Sequence, residues 1–528
     1  MRQMSFFVAI YICTVFQYAI MIPKTMSTQH PDNAMMPTWS TGKSIITNED
    51  EIEEAYIAYK KLGIKEVMWD AEGKDVDTHV IRKLFGKDRK FFENNRLGQD
   101  IFLTYRIPNP LIEGAERKVL NETLNSIPLN YDVANRIFNN GIAPIFEVIL
   151  PFTTDYRSML NVVKFYEKGI VDSQDINLYE DVYSKDITGE VRPRKINLIP
   201  LIEDKDSIFN IESIITKYHN AVKPEYMRIF IARSDPAMNY GMIPATLLAK
   251  YAVSKMDKIS NDIGMEIYPI IGAGSSPFRG NLGPQNIKRA IDEYDSYYTF
   301  SVQSAFRYDY NDVDVKNSIS LINDHIPRKP VPIDLETEKA MKSLVDNYAV
   351  RFQKIIEGLA QPINDMTLYL PKRRQRKLHV GLFGYSRSTG NAKLPRAIAF
   401  VGALYSMGIP PEILGIASLS GMSENNYALL KGLYRYMEYD IQSSARYFTY
   451  ESLDYLRDIW KVDNKIIGMI REDMRYIEEN IGVPTDNPYN IQKHGLYTTL
   501  LLMAFKNGKF DEVRDYIYEM GVLRKFVG

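Results

Sequence analysis

Glu266-Ile267-Tyr268-Pro269-Ile270-Ile271-Gly272-Ala273-Gly274-Ser275-Ser276-Pro277-Phe278-Arg279-Gly280 is the segment on which the reading of this chain turns. The apolar run from Ile267 to Ile271 stops at a cluster of small residues. That is a buried strand entering a loop whose backbone N–H groups can approach an anion closely. Arg279 adds a planar, permanently charged fork suited to a carboxylate or a phosphate. Taken alone, the segment is equally an ordinary glycine-rich turn after a strand. Its neighbours decide between the two.

Working outward, β-branched or aromatic runs recur between helical stretches. The runs predict strands at Lys65–Trp69, Ile101–Tyr105, Pro144–Leu150, Ile196–Ile202, Met227–Ala232, Glu266–Ile271, Tyr298–Val302 and Leu378–Phe383. Helical patterns occupy Asn48–Leu62, Tyr156–Glu167, Ile208–Tyr218 and Pro244–Ile263. Strand and helix in alternation make a parallel sheet, and eight repeats favour a closed (β/α)8 TIM-like barrel, an α/β fold. Met26 to Gly42 reads as an ordered arm, and from about 410 to 528 the chain is mostly helical, a layer on the barrel rather than a separate domain.

The 528 residues are 45% hydrophobic and 25% charged with a net charge of −1, so no global field recruits nucleic acid or an anionic membrane. The single cysteine, Cys13, excludes an internal disulfide framework and fits a reducing, cytoplasmic compartment. Phe6–Ile22 is an apolar run that reads as a signal-peptide core, a short anchor or, the reading preferred here, an extension (residues 1–25) ahead of a domain beginning at Met26. Nothing later in the chain reads as a membrane span.

Barrel enzymes keep their chemistry at the C-terminal ends of the strands. Here those ends carry Asp70, Arg106, Glu203, Asp235, Arg279, Gln303 with Arg307, and Arg387. Arg106, Arg279, Arg307 and Arg387, converging at one end, suit a substrate with several negative charges, although any one of them could be a surface ion pair. Glu203 and Asp235 follow neighbouring strands and could share a cation, and two protein carboxylates with the remaining ligands from water and substrate is the Mg²⁺ pattern. The alternative is a pair of acids at helix N-termini. His30 has the pKa range of a general base but stands far from the rest in sequence.

These segments closely resemble the archaeal-type phosphoenolpyruvate carboxylases. The likeness spans about Met26 to Gly528 and rests on Ser27-Thr28-Gln29-His30-Pro31-Asp32-Asn33, Met68-Trp69-Asp70-Ala71-Glu72-Gly73-Lys74, Ala232-Arg233-Ser234-Asp235-Pro236, the loop Gly272–Gly280 and Leu382-Phe383-Gly384-Tyr385-Ser386-Arg387. The resemblance implies carboxylation of phosphoenolpyruvate by bicarbonate to oxaloacetate and phosphate, with Mg²⁺ or Mn²⁺, in a homotetramer. It implies His30, Arg106 and Arg279 as catalytic residues and Glu203 and Asp235 as metal ligands. It further implies Arg307, Gly272, Gly274, Ser275, Gln303 and Arg387 at the substrate. The larger bacterial and plant enzymes carry a histidine and an arginine where this loop has Ile271 and Ala273, so substrate holding is shared differently here.

Two other readings stay open at this level. Another Mg²⁺-dependent phosphoenolpyruvate or pyruvate barrel enzyme, an aldolase or lyase, would share the acids and arginines without needing bicarbonate. The basic run Lys372-Arg373-Arg374-Gln375-Arg376-Lys377 invites a nucleic-acid reading, which the neutral charge balance and the lack of aromatic partners disfavour.

Overall fold

The apolar runs pair side by side as parallel strands. The computed structural model describes residues 21–528 except 41, 72–75, 376–386, 390–391 and 487, together with the backbone alone at 387–389 and 392. Eight strands close into one barrel: β1 (Thr25–Ser27), β2 (Glu66–Asp70), β3 (Phe102–Arg106), β4 (Glu147–Leu150), β5 (Asn197–Ile202), β6 (Tyr226–Ala232), β7 (Glu266–Gly272) and β8 (Thr299–Val302). Each pairs with the next, and β1 closes the ring by pairing with both β8 and β2. Alternate side chains face inward. Met26, Met68, Ile149, Ile199, Leu201, Phe230 and Ile270 fill the barrel, while residues such as Trp69, Leu198, Ile229 and Ile271 join the core beneath the helices.

The N-terminal end of the barrel is closed by buried charge. Arg228 donates to Glu66 at 2.6 Å and to Glu147 at 2.7 Å, and all three side chains are buried. These acids open β2 and β4, so one guanidinium ties three strands together. Removing one partner from such a cluster costs about 3–5 kcal/mol, because a buried charge is left uncompensated.

Seven strands stand within a few residues of the sequence expectation, and the eighth does not. Leu378–Phe383 lies outside the described residues, and the barrel closes without it, through Thr25–Ser27 instead. That strand is three residues long with one inward apolar side chain, Met26, too short for any hydrophobic period to register. The domain boundary drawn at 25/26 therefore cuts through β1. Residues 23–25 belong to the seam: the Phe300 N–H donates to the Lys24 carbonyl, Thr299 Oγ1 to the Pro23 carbonyl, the Lys65 N–H to Thr25 Oγ1, and Thr25 Oγ1 to Asn323.

The C-terminal layer is helical as expected, with helices from Glu424–Leu433 through Phe510–Arg524. It docks on the long helix Leu335–Thr367, where Arg351 pairs with the buried Asp473 at 2.8 Å and Tyr348 donates to the Leu414 carbonyl at 2.9 Å. Two arginines of the basic run are spent inside the molecule. Arg373 donates to the Asn33 and Ala34 carbonyls and pins the N-terminal arm, and Arg374 pairs with Glu54 and Glu51 on the helix Asp50–Lys60. Arg376 and Lys377 lie outside the described residues. Among the described residues no single helix is long and apolar enough to cross a membrane.

A chain starting at Met21 keeps every bond of the barrel seam. One starting at Met26 forfeits the four seam bonds above and is expected to unfold at a lower temperature, having lost about 2–6 kcal/mol at roughly 0.5–1.5 kcal/mol each. Thermal melts of both chains check this, and equal midpoints would show that residues 23–25 contribute nothing to closure.

Candidate active site

A cavity of about 560 Å³ opens at the C-terminal ends of the strands. His30, Arg106, Glu203, Asp235, Gly272, Arg279 and Gln303 all line it, so seven residues singled out from scattered positions in the sequence meet in one place. Met68, Phe152, Leu201, Phe230 and Leu370 supply apolar wall between them.

Arg279 is the most elaborately held of these. The loop after β7 closes on itself, with the Gly274 N–H donating to the Arg279 carbonyl at 2.8 Å and the Leu282 N–H to the Gly274 carbonyl at 2.9 Å. A Cβ on Gly274 would stand 2.7 Å from Arg279 Cζ, so glycine is needed there to admit the guanidinium. The fork is almost fully buried. Nε donates to Ser234 Oγ at 3.0 Å, Nη1 to Asp32 at 3.1 Å and to the Gly528 carbonyl at 2.8 Å, and Nη2 to Gln303 Oε1 at 2.5 Å. These contacts engage four of the five N–H donors of an arginine and leave one Nη2 hydrogen. Burial drives Asp32 up and Arg279 down from their ordinary values, and each is opposed by the other's charge.

The arm carrying His30 follows β1, two strands from β7 in the ring, and is fixed in its turn. His30 Nδ1 stands 2.9 Å from Thr28 Oγ1. The Thr28 carbonyl accepts from Arg307 Nη2 at 2.8 Å, and Arg307 pairs with Glu54 at 3.0 Å. Arg307, expected at the substrate, is thus buried behind the arm and is not among the residues lining the cavity. Its position after β8 signalled function, but its charge is consumed by Glu54. Gly274 and Ser275 also lie behind the cavity wall, Gly274 supporting Arg279 instead. Arg387 opens a short antiparallel hairpin, Arg387–Thr389 with Ala392–Leu394, and its side chain lies outside the described residues.

Arg106 ends β3 and donates from Nε to Asp70 Oδ1 at 3.0 Å, across the β2–β3 pair. Glu203 and Asp235 follow β5 and β6, which are adjacent in the barrel. The helix after β5 is capped by Asp204, whose carboxylate accepts from the Ser207 N–H at 2.9 Å, so capping falls to the neighbour and Glu203 faces the cavity. Two hard oxygen donors, with no third acid or histidine clustered beside them among the described residues, suit a Mg²⁺-class ion completed by water and substrate. Asp32, Ser234, Asp70 and Gln29 stand in the motifs and strand ends quoted from the sequence but were given no role at the site. Gln29 and Ser234 stand directly beside His30 and Asp235, a signal that adjacency could have supplied.

A family model described as phosphoenolpyruvate carboxylase matches residues 22–528. A phosphoenolpyruvate carboxylase of Picrophilus torridus is 57% identical over 96% of this chain and 99% of its own length. Those of Metallosphaera sedula and Caldivirga maquilingensis are 49% and 44% identical, each over 96% of this chain and 99% of its own length. The chain belongs to the archaeal-type phosphoenolpyruvate carboxylase family. The resemblance carried by the motifs is upheld, and the family match begins ahead of Met26, in step with the barrel seam.

In this member of the carboxylase family, the middle of the arm rests on a titratable anchor. Asp309 accepts the Ala34 and Met35 N–H groups, each at 2.7 Å, and burial pushes its carboxyl up to about 7. Because the folded value is the higher one, the native state holds a proton that the unfolded chain releases near pH 4. Stability therefore falls as pH rises from about 4 to 7. In thermal unfolding across that window, the stability gap between wild type and Asp309→Asn is expected to narrow with rising pH, by at most about 1.4 kcal/mol per unit. A gap constant with pH would remove Asp309 from the titration.

Proposed function

We propose that the chain carboxylates phosphoenolpyruvate with bicarbonate, giving oxaloacetate and phosphate, in this cavity. The observation that carries the reading is the meeting of Glu203 and Asp235, from adjacent strands, with Arg279, Arg106 and His30 around one partly apolar cavity. A Mg²⁺ or Mn²⁺ ion held by Glu203 and Asp235 would supply Lewis-acid stabilisation of the charge that develops on the substrate oxygens.

The remaining work falls to the chain. Arg279, with its free Nη2 hydrogen, and Arg106 neutralise the anionic groups so that a bicarbonate oxygen can attack phosphorus. The P–O bond to the enol oxygen breaks, leaving carboxyphosphate and the enolate of pyruvate. His30 takes the carboxyphosphate proton, the C–O bond to phosphate breaks, and the CO2 released is captured by the enolate carbon. Met68, Phe152, Leu201 and Phe230 keep water from the enolate, which a stray proton would convert to pyruvate. Arg307 acts at one remove, holding the Thr28 carbonyl and thereby the His30 arm. On family resemblance, the proposal extends to a cytoplasmic homotetramer that replenishes the tricarboxylic acid cycle.

Asp235→Asn and Glu203→Gln are expected to fold and to lose activity by a hundredfold or more, on the order of 3 kcal/mol of lost stabilisation. Their Mg²⁺ requirement should shift to higher concentration. An unchanged Mg²⁺ titration would remove both from the metal site.

His30→Asn separates the two halves of the reaction. Phosphoryl transfer to bicarbonate does not use His30, so the variant should release phosphate slowly, and only with bicarbonate present, while forming little oxaloacetate. Pyruvate should accumulate in step with phosphate, and ¹⁸O from bicarbonate should still reach the phosphate. Joint loss of phosphate and oxaloacetate would place His30 in the first step. Bicarbonate-independent turnover by wild type would point to a lyase or aldolase instead.

A further inference from the structure

The turn that presents Arg279 is held from outside the barrel. Gly280 and Asn281, immediately after the arginine, sit at φ of 118° and 55°, a left-handed path that is costly for the non-glycine residue. Two carboxylates from the C-terminal layer meet this turn on either side of Arg279. Glu412, in the turn Pro411–Ile413, accepts the Phe278 N–H at 2.8 Å, and Asp440, in the helix Met437–Ala445, accepts Asn281 Nδ2 at 2.6 Å. Each carboxylate is braced from behind by a tyrosine, Tyr405 donating to Glu412 at 2.9 Å and Tyr434 to Asp440 at 2.6 Å. Both acids are buried, with Glu412 fully so. The Phe278 ring lies between Phe352 and Phe400, so the turn already has an apolar seat.

Buried carboxylates are an expensive way to hold a turn that aromatic packing already covers, since well-packed apolar side chains serve stability as well or better. What acceptors add is direction: each fixes one donor at one point. We propose that Glu412 and Asp440 are positioning residues for Arg279, clamping Phe278 and Asn281 on its two sides and so setting where the guanidinium stands in the cavity. The helical layer thereby takes part in substrate binding without touching substrate. A misplacement of about 1 Å in such a group is enough to lower turnover by about a hundredfold. The inference rests on the reading that Arg279 holds an anionic group of the substrate, so Arg279→Lys belongs in the same experiment.

Steady-state kinetics with phosphoenolpyruvate varied, together with thermal unfolding, test the clamp in the full chain. Glu412→Leu and Asp440→Leu remove the acceptor, whereas Glu412→Gln and Asp440→Asn retain one. Asn281→Gly removes the donor while tolerating the positive φ, and it carries the test if a leucine variant does not fold. The leucine variants and Asn281→Gly should raise the phosphoenolpyruvate KM about tenfold or more, and the amide variants should recover most of that loss. Because Asp440 acts through Asn281, the double variant Asn281→Gly/Asp440→Leu should be no worse than the worse single one. Folded variants with a lower unfolding midpoint but an unchanged KM would overturn the clamp. So would multiplying effects in the double variant, or amide variants as damaged as the leucines. If Arg279→Lys itself leaves KM unchanged, the reading of Arg279 fails. If Arg279→Lys raises it and the clamp variants do not, the clamp alone fails.

Discussion

The ion pair between Arg279 and Asp32 joins two parts of the chain that share no secondary structure. Arg279 comes from the loop after β7, and Asp32 from the arm that follows β1. Asp32 reaches a third element by accepting the Ala305 N–H at 2.7 Å, and its own carbonyl accepts the Val527 N–H at 2.7 Å. The loop, the arm, the segment after β8 and the last residues of the chain are thus registered on one buried pair. In a low-dielectric site each charge is tolerable only because the other is present, so the pair fixes geometry more firmly than it adds stability.

The same economy recurs around the cavity. Positive charge that stands out in the sequence is often spent on the protein itself: Arg307, read as substrate-binding, on Glu54 and the Thr28 carbonyl, and Arg374 and Arg373, from the basic run, on Glu54 and on the carbonyls of the arm. Glu54 serves two arginines, and their charge holds its carboxyl down at about 2 in spite of burial. Asp309, Asp440 and Glu412 have weaker compensation, and burial lifts each to about 7. The shell around the site therefore contains strongly charged struts and nearly neutral ones, and both kinds bear on the backbone that presents the functional side chains.

How much of this was legible differs by element. Seven barrel strands and the helical layer follow from hydrophobic patterning, because each strand spends several consecutive residues against an apolar shell. The eighth does not, because Thr25–Ser27 is a strand only through its partners on β8 and β2. Leu378–Phe383 has the composition of a strand without being needed by the barrel, and composition carries no knowledge of which edge is left to pair.

For the site, the sequence by itself determined which residues stand at strand ends. His30, Arg106, Glu203, Asp235, Gly272, Arg279 and Gln303 follow from motif and position, and they meet in the cavity. Tertiary structure alone decided the fate of their charges. Arg279 and Arg307 are the same residue type at equivalent ends of adjacent strands, yet one lines the cavity and the other is buried behind it. The difference lies in Glu54, some 250 residues earlier in the chain, whose carboxylate pairs with the second guanidinium behind the arm. Position along a strand is local information, whereas the partner of a buried charge is set by long-range packing, and that packing exists only once the barrel has closed.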